Sequence, residues 1–307
     1  MLTLESFLTQ DNIKLSGLLY TPGIEKVTED VVIYVHGGSS NIYKNPERLN
    51  ALGELFNKAN ISFFAFNNRG SGYISRMNRV DENGEEESVH LGASYETIRE
   101  AELDFIGVSN FLRKKGFQKL TLLGHSTGAN KICAYNFYNE RVVFDRFVLL
   151  NGGDDTGITY EMMGAKKFKR ALQKCEKMIK KGWGRKLAPK YLTNFIISYQ
   201  SFYDLINPDG DYNIFPFFEL LTGQQLGTKE LLREFKSMRK PTLVIYGSED
   251  EYCQGDVKSR VDLLRKAVSE TRKKDLYNFK IVDGADHCFT GMEEELSNSV
   301  INWIKNK

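Results

Sequence analysis

Short runs of apolar, mostly β-branched or aromatic residues recur along this chain, and turn-forming residues bound each of them. The clearest run is Val31–Val35, and five others cover residues 61–66, 120–123, 147–150, 243–246 and 279–282. A strand that is apolar at every position must be buried on both faces, as in a parallel sheet that is covered by helices. This pattern constrains the fold more strongly than any other feature of the sequence.

Helix-like periods separate these runs. Over residues 98–112, apolar side chains recur at alternating steps of three and four, and Gly116 follows as a suitable C-terminal cap. Segments 49–59, 257–268 and 296–303 show the same spacing. Because strands and helices alternate, we predict an α/β fold with a mostly parallel, doubly wound sheet. An antiparallel hairpin over residues 4–20, turning at Asp11-Asn12, is expected to precede it.

One long segment interrupts the alternation. From Asp154 to Arg239 no comparable strand-like run appears, and the segment is rich in lysine, aromatics and helix-like stretches such as residues 161–181. We therefore predict a helical cap, or lid, at residues 154–239. It would be inserted into a core formed by residues 1–153 and 240–307.

The sequence Gly124-His125-Ser126-Thr127-Gly128 is a G-x-S-x-G motif that follows one predicted strand and precedes a helix-like stretch. In this context the serine occupies a sharp strand-to-helix turn that projects its oxygen from the sheet, and the glycines prevent crowding. The helix N-terminus beyond it favours developing negative charge. Ser126 is therefore the predicted nucleophile.

A serine nucleophile needs a base, and the chain has four histidines. His287 is the one that lies beyond a late strand, so we predict it as the base, and we expect structural roles for His36, His90 and His125. Asp250 follows the strand at 243–246 and is the predicted acid that orients the imidazole. Alternative acids are Glu249, Glu251, Asp154 and Asp155.

Acyl transfer also requires donors for the oxyanion. The first buried strand ends in His36-Gly37-Gly38, where a glycine lets a backbone N–H approach the substrate closely. We assign the two donors to the backbone N–H groups of Gly38 and Thr127. An ordinary glycine-rich turn is the alternative interpretation.

At these positions the chain resembles the α/β-hydrolase superfamily. The resemblance rests on HGG at 36–38, NRGSG at 68–72, GHSTG at 124–128, GSED at 247–250 and GADHCF at 284–289. It implies an eight-stranded sheet, a cap between the sixth and seventh strands, and the triad Ser126, Asp250 and His287. The GHSTG form and the cap position are also similar to esterases of hydroxamate siderophores or hydroxycinnamoyl esters. One departure is that Asn67 or Asn68 replaces the usual Asp before Arg69, a loop position.

These residues predict a serine esterase that hydrolyses carboxylic esters through an acyl-enzyme, with no metal or organic cofactor. The same triad also serves thioesterases, acyltransferases and peptidases, and a hydrolase architecture can be kept for ligand binding alone.

The charge and the N-terminus bear on partners and location. A net charge of +2 gives no general reason to bind nucleic acid or a membrane, and the opening residues lack a signal-peptide pattern. We therefore expect a cytoplasmic enzyme with a small-molecule ester as its partner; the sequence does not define an oligomeric state. Residues 166–190 carry eleven Lys or Arg and one acid, Glu176. We expect a solvated helix face there, with attraction of an anionic ester as the alternative.

Overall fold

The computed structural model describes residues 1–23, 28–253 and 255–307. Ten strands in this part of the chain form one sheet: β1 Leu2–Leu8, β2 Ile13–Tyr20, β3 Asp30–Val35, β4 Ser62–Phe66, β5 Ser75–Val80, β6 Glu86–Leu91, β7 Lys119–His125, β8 Arg146–Leu150, β9 Thr242–Gly247 and β10 Tyr277–Val282. The strand order is β10-β9-β8-β7-β3-β4-β2-β5-β6, and β1 pairs with β2.

The centre of the sheet is parallel. Strands β10, β9, β8, β7, β3 and β4 pair in parallel, and they coincide with the six apolar runs of the sequence. All residues of β4, β8 and β9 are buried. The predicted α/β class is confirmed, because the central strands are covered on both faces.

Five helices cover the sheet. On one face lie α2 Ala101–Lys114, α3 Thr127–Tyr138 and α9 Val257–Ser269, whose apolar residues belong to one core cluster. The second face is covered by α1 Pro46–Lys58 and α10 Glu293–Lys305, which belong to a separate cluster. Short 3₁₀ turns at Ile98–Glu100 and Lys274–Leu276 precede α2 and β10. The carboxyl ends of the parallel strands therefore share one edge of the layered core.

The sheet has two more strands than the eight that the family resemblance implies. The additional pair, β5 and β6, forms an antiparallel hairpin whose strand pairing with β2 covers Ile13–Arg79 and Lys14–Asn78. Its tip lies in the acidic tract at residues 81–87, where the Asp81 side chain accepts hydrogen bonds from two backbone N–H groups of the turn. The last two residues of the tract, Glu86 and Glu87, belong to β6.

Five helices lie between β8 and β9: α4 Asp155–Met163, α5 Ala165–Lys180, α6 Tyr199–Ile206, α7 Phe217–Thr222 and α8 Arg233–Lys236. Gly164, at φ +73°, separates α4 from α5 within the stretch that looked continuous in the sequence. Helices α5 and α6 share a small apolar cluster of their own, whereas residues such as Phe217 and Phe235 join the main core. The cap boundaries at 154 and 239 stay predictions.

Arg69 has a structural role, because its side chain holds the loop after β4 in place. It is 1% exposed, and its guanidinium binds both Asp104 of α2 and Asp11 in the β1–β2 turn at 2.8 Å. Burial raises the pKa of Asp104 to about 6, although the Arg69 charge opposes that rise. This ion pair ties the loop after β4 to the N-terminal hairpin.

The four cysteines are free thiols, and Cys288 is the only one that is partly exposed. Within the described residues, no helix is both long enough and apolar enough to cross a lipid bilayer.

Candidate active site

Ser126 occupies the sharp turn between β7 and α3. Its backbone lies at φ 56° and ψ −126°, outside the ordinary regions for a non-glycine residue. The turn is held by a hydrogen bond from the Ser126 N–H to the Leu150 carbonyl at 2.8 Å. The side chain is partly exposed at the carboxyl edge of the sheet.

The two glycines of the motif are required by close backbone contacts. A Cβ on Gly124 would lie 2.3 Å from the Gly128 carbonyl oxygen. A Cβ on Gly128 would lie 2.5 Å from the Val35 carbonyl oxygen, on the neighbouring strand. Any side chain at either position would therefore push the serine turn away from β3 or α3.

His287 and Asp250 form a buried pair on the loops that follow β10 and β9. The imidazole Nδ1 lies 2.8 Å from Asp250 Oδ1, which also accepts a hydrogen bond from the Tyr252 N–H. Because an ionised carboxylate only accepts, Nδ1 carries the proton, and Nε2 remains to accept one from a serine. Asp250 is thus the acid that contacts the predicted base.

The alternative acids contact other groups. Glu251 accepts a hydrogen bond from the backbone N–H of His287 at 2.9 Å, so it supports the loop and not the ring. Glu249 is exposed. Asp154 caps α4 by accepting from the Gly157 N–H and also accepts from the Phe218 N–H of α7, and burial raises its pKa to about 7.

His125 joins the serine turn to the His287 loop. Its Nε2 lies 2.7 Å from the His287 carbonyl oxygen, and the two rings are 4.8 Å apart between centroids. In the described part of the chain, no hydrogen bond links Ser126 Oγ to the His287 ring. Such bonds often tighten only when substrate is bound.

Asn151 is a part of the site that sequence analysis missed. It directly follows β8, is fully buried and has φ 46°. Its Nδ2 donates to the His287 carbonyl at 2.8 Å, while its Oδ1 accepts from the Gly247 N–H at 2.9 Å. One side chain thus connects the ends of β8 and β9 to the backbone of the predicted base. Only its place at a strand end could have indicated this role.

The loop after β3 lies against the serine turn, and His36 holds it. The ring accepts from the Asn68 N–H at Nε2, and its Nδ1 lies 2.9 Å from the Gly37 carbonyl oxygen. Burial, aided by the nearby Lys131 charge, lowers the pKa of His36 to about 3, so the ring is neutral. The structural role expected for His36 agrees with these contacts.

The two predicted oxyanion donors, Gly38 and Thr127, lie where the loop after β3 packs against the serine turn. A Cβ on Gly37 would lie 2.8 Å from Ser126 Cβ and 3.3 Å from Ser126 Oγ, and one on Gly38 would lie 3.1 Å from Thr127 Oγ1. Among the described residues, the N–H groups of Gly38 and Thr127 donate to no other protein group. They are therefore available to a ligand, and their assignment as the oxyanion hole stays a prediction.

A second polar group reaches this edge from the segment between β8 and β9. The Tyr212 hydroxyl lies 3.0 Å from Asp155 Oδ2 and 3.4 Å from Thr127 Oγ1, next to the serine. Burial raises the pKa of Asp155, while the Tyr212 hydrogen bond and the nearby His287 oppose that rise. In the sequence, Asp155 is a candidate only as a triad acid, and no motif points to Tyr212.

Two open cavities of about 540 and 560 Å³ lie elsewhere, beside the β5–β6 hairpin and the Arg69 loop. Ser126, Asp250 and His287 line neither of them. The candidate site is therefore identified from side-chain geometry and not from the size of a cavity.

Comparison with solved structures shows the α/β-hydrolase fold. The esterase Pf2001 from Pyrococcus furiosus is 18% identical, with a TM-score of 0.58 over 100% of this chain and 90% of that one. Est1E from Butyrivibrio proteoclasticus, with ferulic acid bound, is 14% identical, with a TM-score of 0.60 over 98% of each chain. The siderophore hydrolase EstB from Aspergillus fumigatus is 15% identical, with a TM-score of 0.63 over 99% of this chain and 98% of that one.

Sequence comparison identifies a protein family that matches this chain. A family model described as "Protein of unknown function (DUF1749)" matches residues 99–306, which is more than half of the chain. No curated protein matches the sequence.

Proposed function

We propose that this chain, which belongs to the DUF1749 family, is a serine-dependent hydrolase of carboxylic esters. The observation that carries the proposal is the arrangement at one sheet edge. Ser126 lies on a strained strand-to-helix turn, and the hydrogen-bonded pair of His287 and Asp250 is linked to that turn through His125.

In the proposed reaction, Ser126 Oγ attacks the ester carbonyl while His287 Nε2 accepts its proton. Asp250 holds the imidazole in the required tautomer and stabilises its positive charge. The N–H groups of Gly38 and Thr127 bind the oxyanion of the tetrahedral intermediate. His287 then protonates the leaving alcohol, and a water molecule repeats the cycle on the acyl-enzyme. No step requires a metal or an organic cofactor.

The descriptions of the solved relatives support esters as the substrate class. Pf2001 is described as an esterase, and EstB as a siderophore hydrolase. Their sequence identities of 18% and 15% do not select an acyl or alcohol group for this chain.

The test is hydrolysis of short and medium p-nitrophenyl esters, together with labelling by a fluorophosphonate probe. The wild type should turn over esters and be labelled once. Ser126→Ala should abolish labelling and lower kcat by about 10⁶, because removing the nucleophile removes the covalent pathway. Ser269→Ala, on an exposed position of α9, is the matched control and should behave as the wild type does.

The outcomes separate the competing functions. A protein that hydrolyses no ester and is not labelled is not a serine hydrolase, and a ligand-binding role would then replace the proposal. Turnover that Ser126→Ala leaves unchanged would also refute it. Product analysis with thioester, amide and alcohol acceptors distinguishes an ester hydrolase from a thioesterase, peptidase or acyltransferase.

A further inference from the structure

Asp155 is an acid beside the candidate site that the proposed mechanism does not use. Its Oδ2 accepts from the Tyr212 hydroxyl, which in turn contacts Thr127 Oγ1. This places the carboxylate two hydrogen-bond lengths from the residue that follows the nucleophile. The other oxygen, Oδ1, has no hydrogen bond to any described residue and is not sealed from solvent.

No cation of the described chain neutralises this carboxylate. None of the ion pairs among the described residues involves Asp155, and the neighbouring His287 ring acts on it electrostatically only when that ring is protonated. Partial burial of a carboxylate that has no cationic partner is costly unless something offsets the loss of hydration. A positively charged ligand would supply the missing partner.

Two structural explanations account for only part of this arrangement. Asp155 opens α4, where a negative charge gains from the helix dipole. That gain does not require the side chain to reach Tyr212 near Thr127. The role of triad acid belongs to Asp250, which binds the His287 ring directly.

An exposed aromatic ring lies beside the predicted base. The Tyr252 ring is 4.6 Å from the His287 ring between centroids and is 59% exposed, and Tyr212 borders Asp155 itself. A carboxylate together with aromatic rings attracts ammonium groups through charge and cation–π contact.

We propose that Asp155 binds a positively charged nitrogen of the ester substrate, so that this hydrolase prefers cationic esters to neutral esters of the same shape. The inference rests on the proposed function. It opposes the other possibility raised by the basic residues 166–190, an anionic ester, because a carboxylate next to Thr127 repels a second anion. The basic side chains of α5, such as Lys166, Lys167 and Lys177, are exposed on the outside of that helix.

The test uses substrates that differ only in charge. One series carries the charge on the acyl side: p-nitrophenyl esters of 4-(trimethylammonio)butanoate, neutral 5,5-dimethylhexanoate and anionic glutarate. The second carries it on the alcohol side: choline butanoate and neutral 3,3-dimethylbutyl butanoate. We expect the cationic member of at least one series to have a kcat/KM about 10–100 times that of its neutral counterpart, which is the size of effect that an opposite charge within about 4–6 Å of a carboxylate produces.

Asp155→Asn, which has nearly the same shape, should reduce that ratio to about one, mainly by raising KM for the cationic ester. Glu161→Gln is the matched control, because Glu161 is exposed on the same helix, and it should keep the ratio. Thermal unfolding of each variant verifies that it is folded.

Three outcomes would overturn the inference: equal or slower turnover of both cationic esters by the wild type, a preference for the anionic ester, or a preference that Asp155→Asn retains. If neutral esters are hydrolysed in any of these cases, the proposed function stands and only the cation subsite fails. If no ester is hydrolysed and the serine is not labelled, both fail.

Discussion

Replacement of Asn151 by alanine should both destabilise the fold and slow the reaction. The side chain connects three backbone segments, since it donates to the His287 carbonyl and accepts from the Gly247 N–H while following β8 directly. Alanine keeps the helix and strand contacts of its neighbours but removes both hydrogen bonds.

The loss of stability can be worked out from the backbone groups that lose a hydrogen-bond partner when the side chain is removed. The buried Gly247 N–H would lose its partner, at a cost of about 1–3 kcal/mol. The His287 carbonyl would keep its contact with His125, so its loss is smaller, about 0.5–1.5 kcal/mol. Alanine is also less favourable than asparagine at φ 46°, by roughly 1 kcal/mol. The free energy of unfolding should fall by about 2.5–5.5 kcal/mol.

Denaturant unfolding measures the first effect and ester kinetics the second. Because the His287 carbonyl loses one of its two hydrogen-bond partners, kcat should fall more than KM changes. Asn302→Ala, on the exposed side of α10, is the control and should change stability by less than about 0.5 kcal/mol. A loss of less than about 1 kcal/mol for Asn151→Ala, with unchanged kcat, would refute the role assigned to this clamp.

Two further predictions concern acids. Asp250→Asn should lower kcat by about three to four orders of magnitude while the protein stays folded, because the amide no longer selects the His287 tautomer. Kinetics with p-nitrophenyl esters would measure this loss, and a decrease in kcat of less than tenfold would contradict the prediction. Burial raises the pKa of Asp204 to about 7, and three nearby acids, Asp211, Glu96 and Glu100, add to the rise, although the Ile98 N–H opposes it. Folding then disfavours its ionisation, so the stability that it contributes falls as pH rises from about 4 to about 7. Asp204→Asn keeps an acceptor for the Ile98 N–H, and its free energy of unfolding at pH 8 should exceed that of the wild type by at most ~4 kcal/mol. The difference should be smaller at pH 5. Denaturant unfolding measures both differences, and equal differences at the two pH values would contradict this prediction.

The central sheet could be predicted from the sequence because its strands are buried on both faces. A run such as Val31–Val35 has no polar position, so its apolar character alone separates it from a surface strand. The hairpin turn at Asn12 was equally clear, since asparagine tolerates the φ of 62° that the turn requires.

The β5–β6 hairpin could not be predicted in the same way. Its strands read SRMNRV and EESVHL, and most of their side chains are exposed or only partly buried. Without a buried face there is no alternation of apolar and polar residues to detect. Its pairing is visible only in three dimensions.

Some residues of the candidate site could likewise be predicted from the sequence, and others could not. Ser126, Asp250 and His287 each follow an apolar strand, so their placement at one sheet edge could be inferred from chain order. Asn151 and Tyr212 act through contacts with residues far away in the sequence, and neither lies in a recognisable motif. Those contacts depend on the packing of loops, which spacing does not encode.

The β5–β6 hairpin leaves and rejoins the core at nearly the same place. The Gly92 N–H donates to the Arg69 carbonyl, and the Ala93 N–H donates to the Gly72 carbonyl, so the two stems are already closed by hydrogen bonds. An insertion at the exposed tip, residues 81–85, would add a loop whose ends are fixed in advance. The tip is therefore a natural attachment point for a fluorophore or an affinity tag, distant in the chain from the serine, acid and histidine of the candidate site.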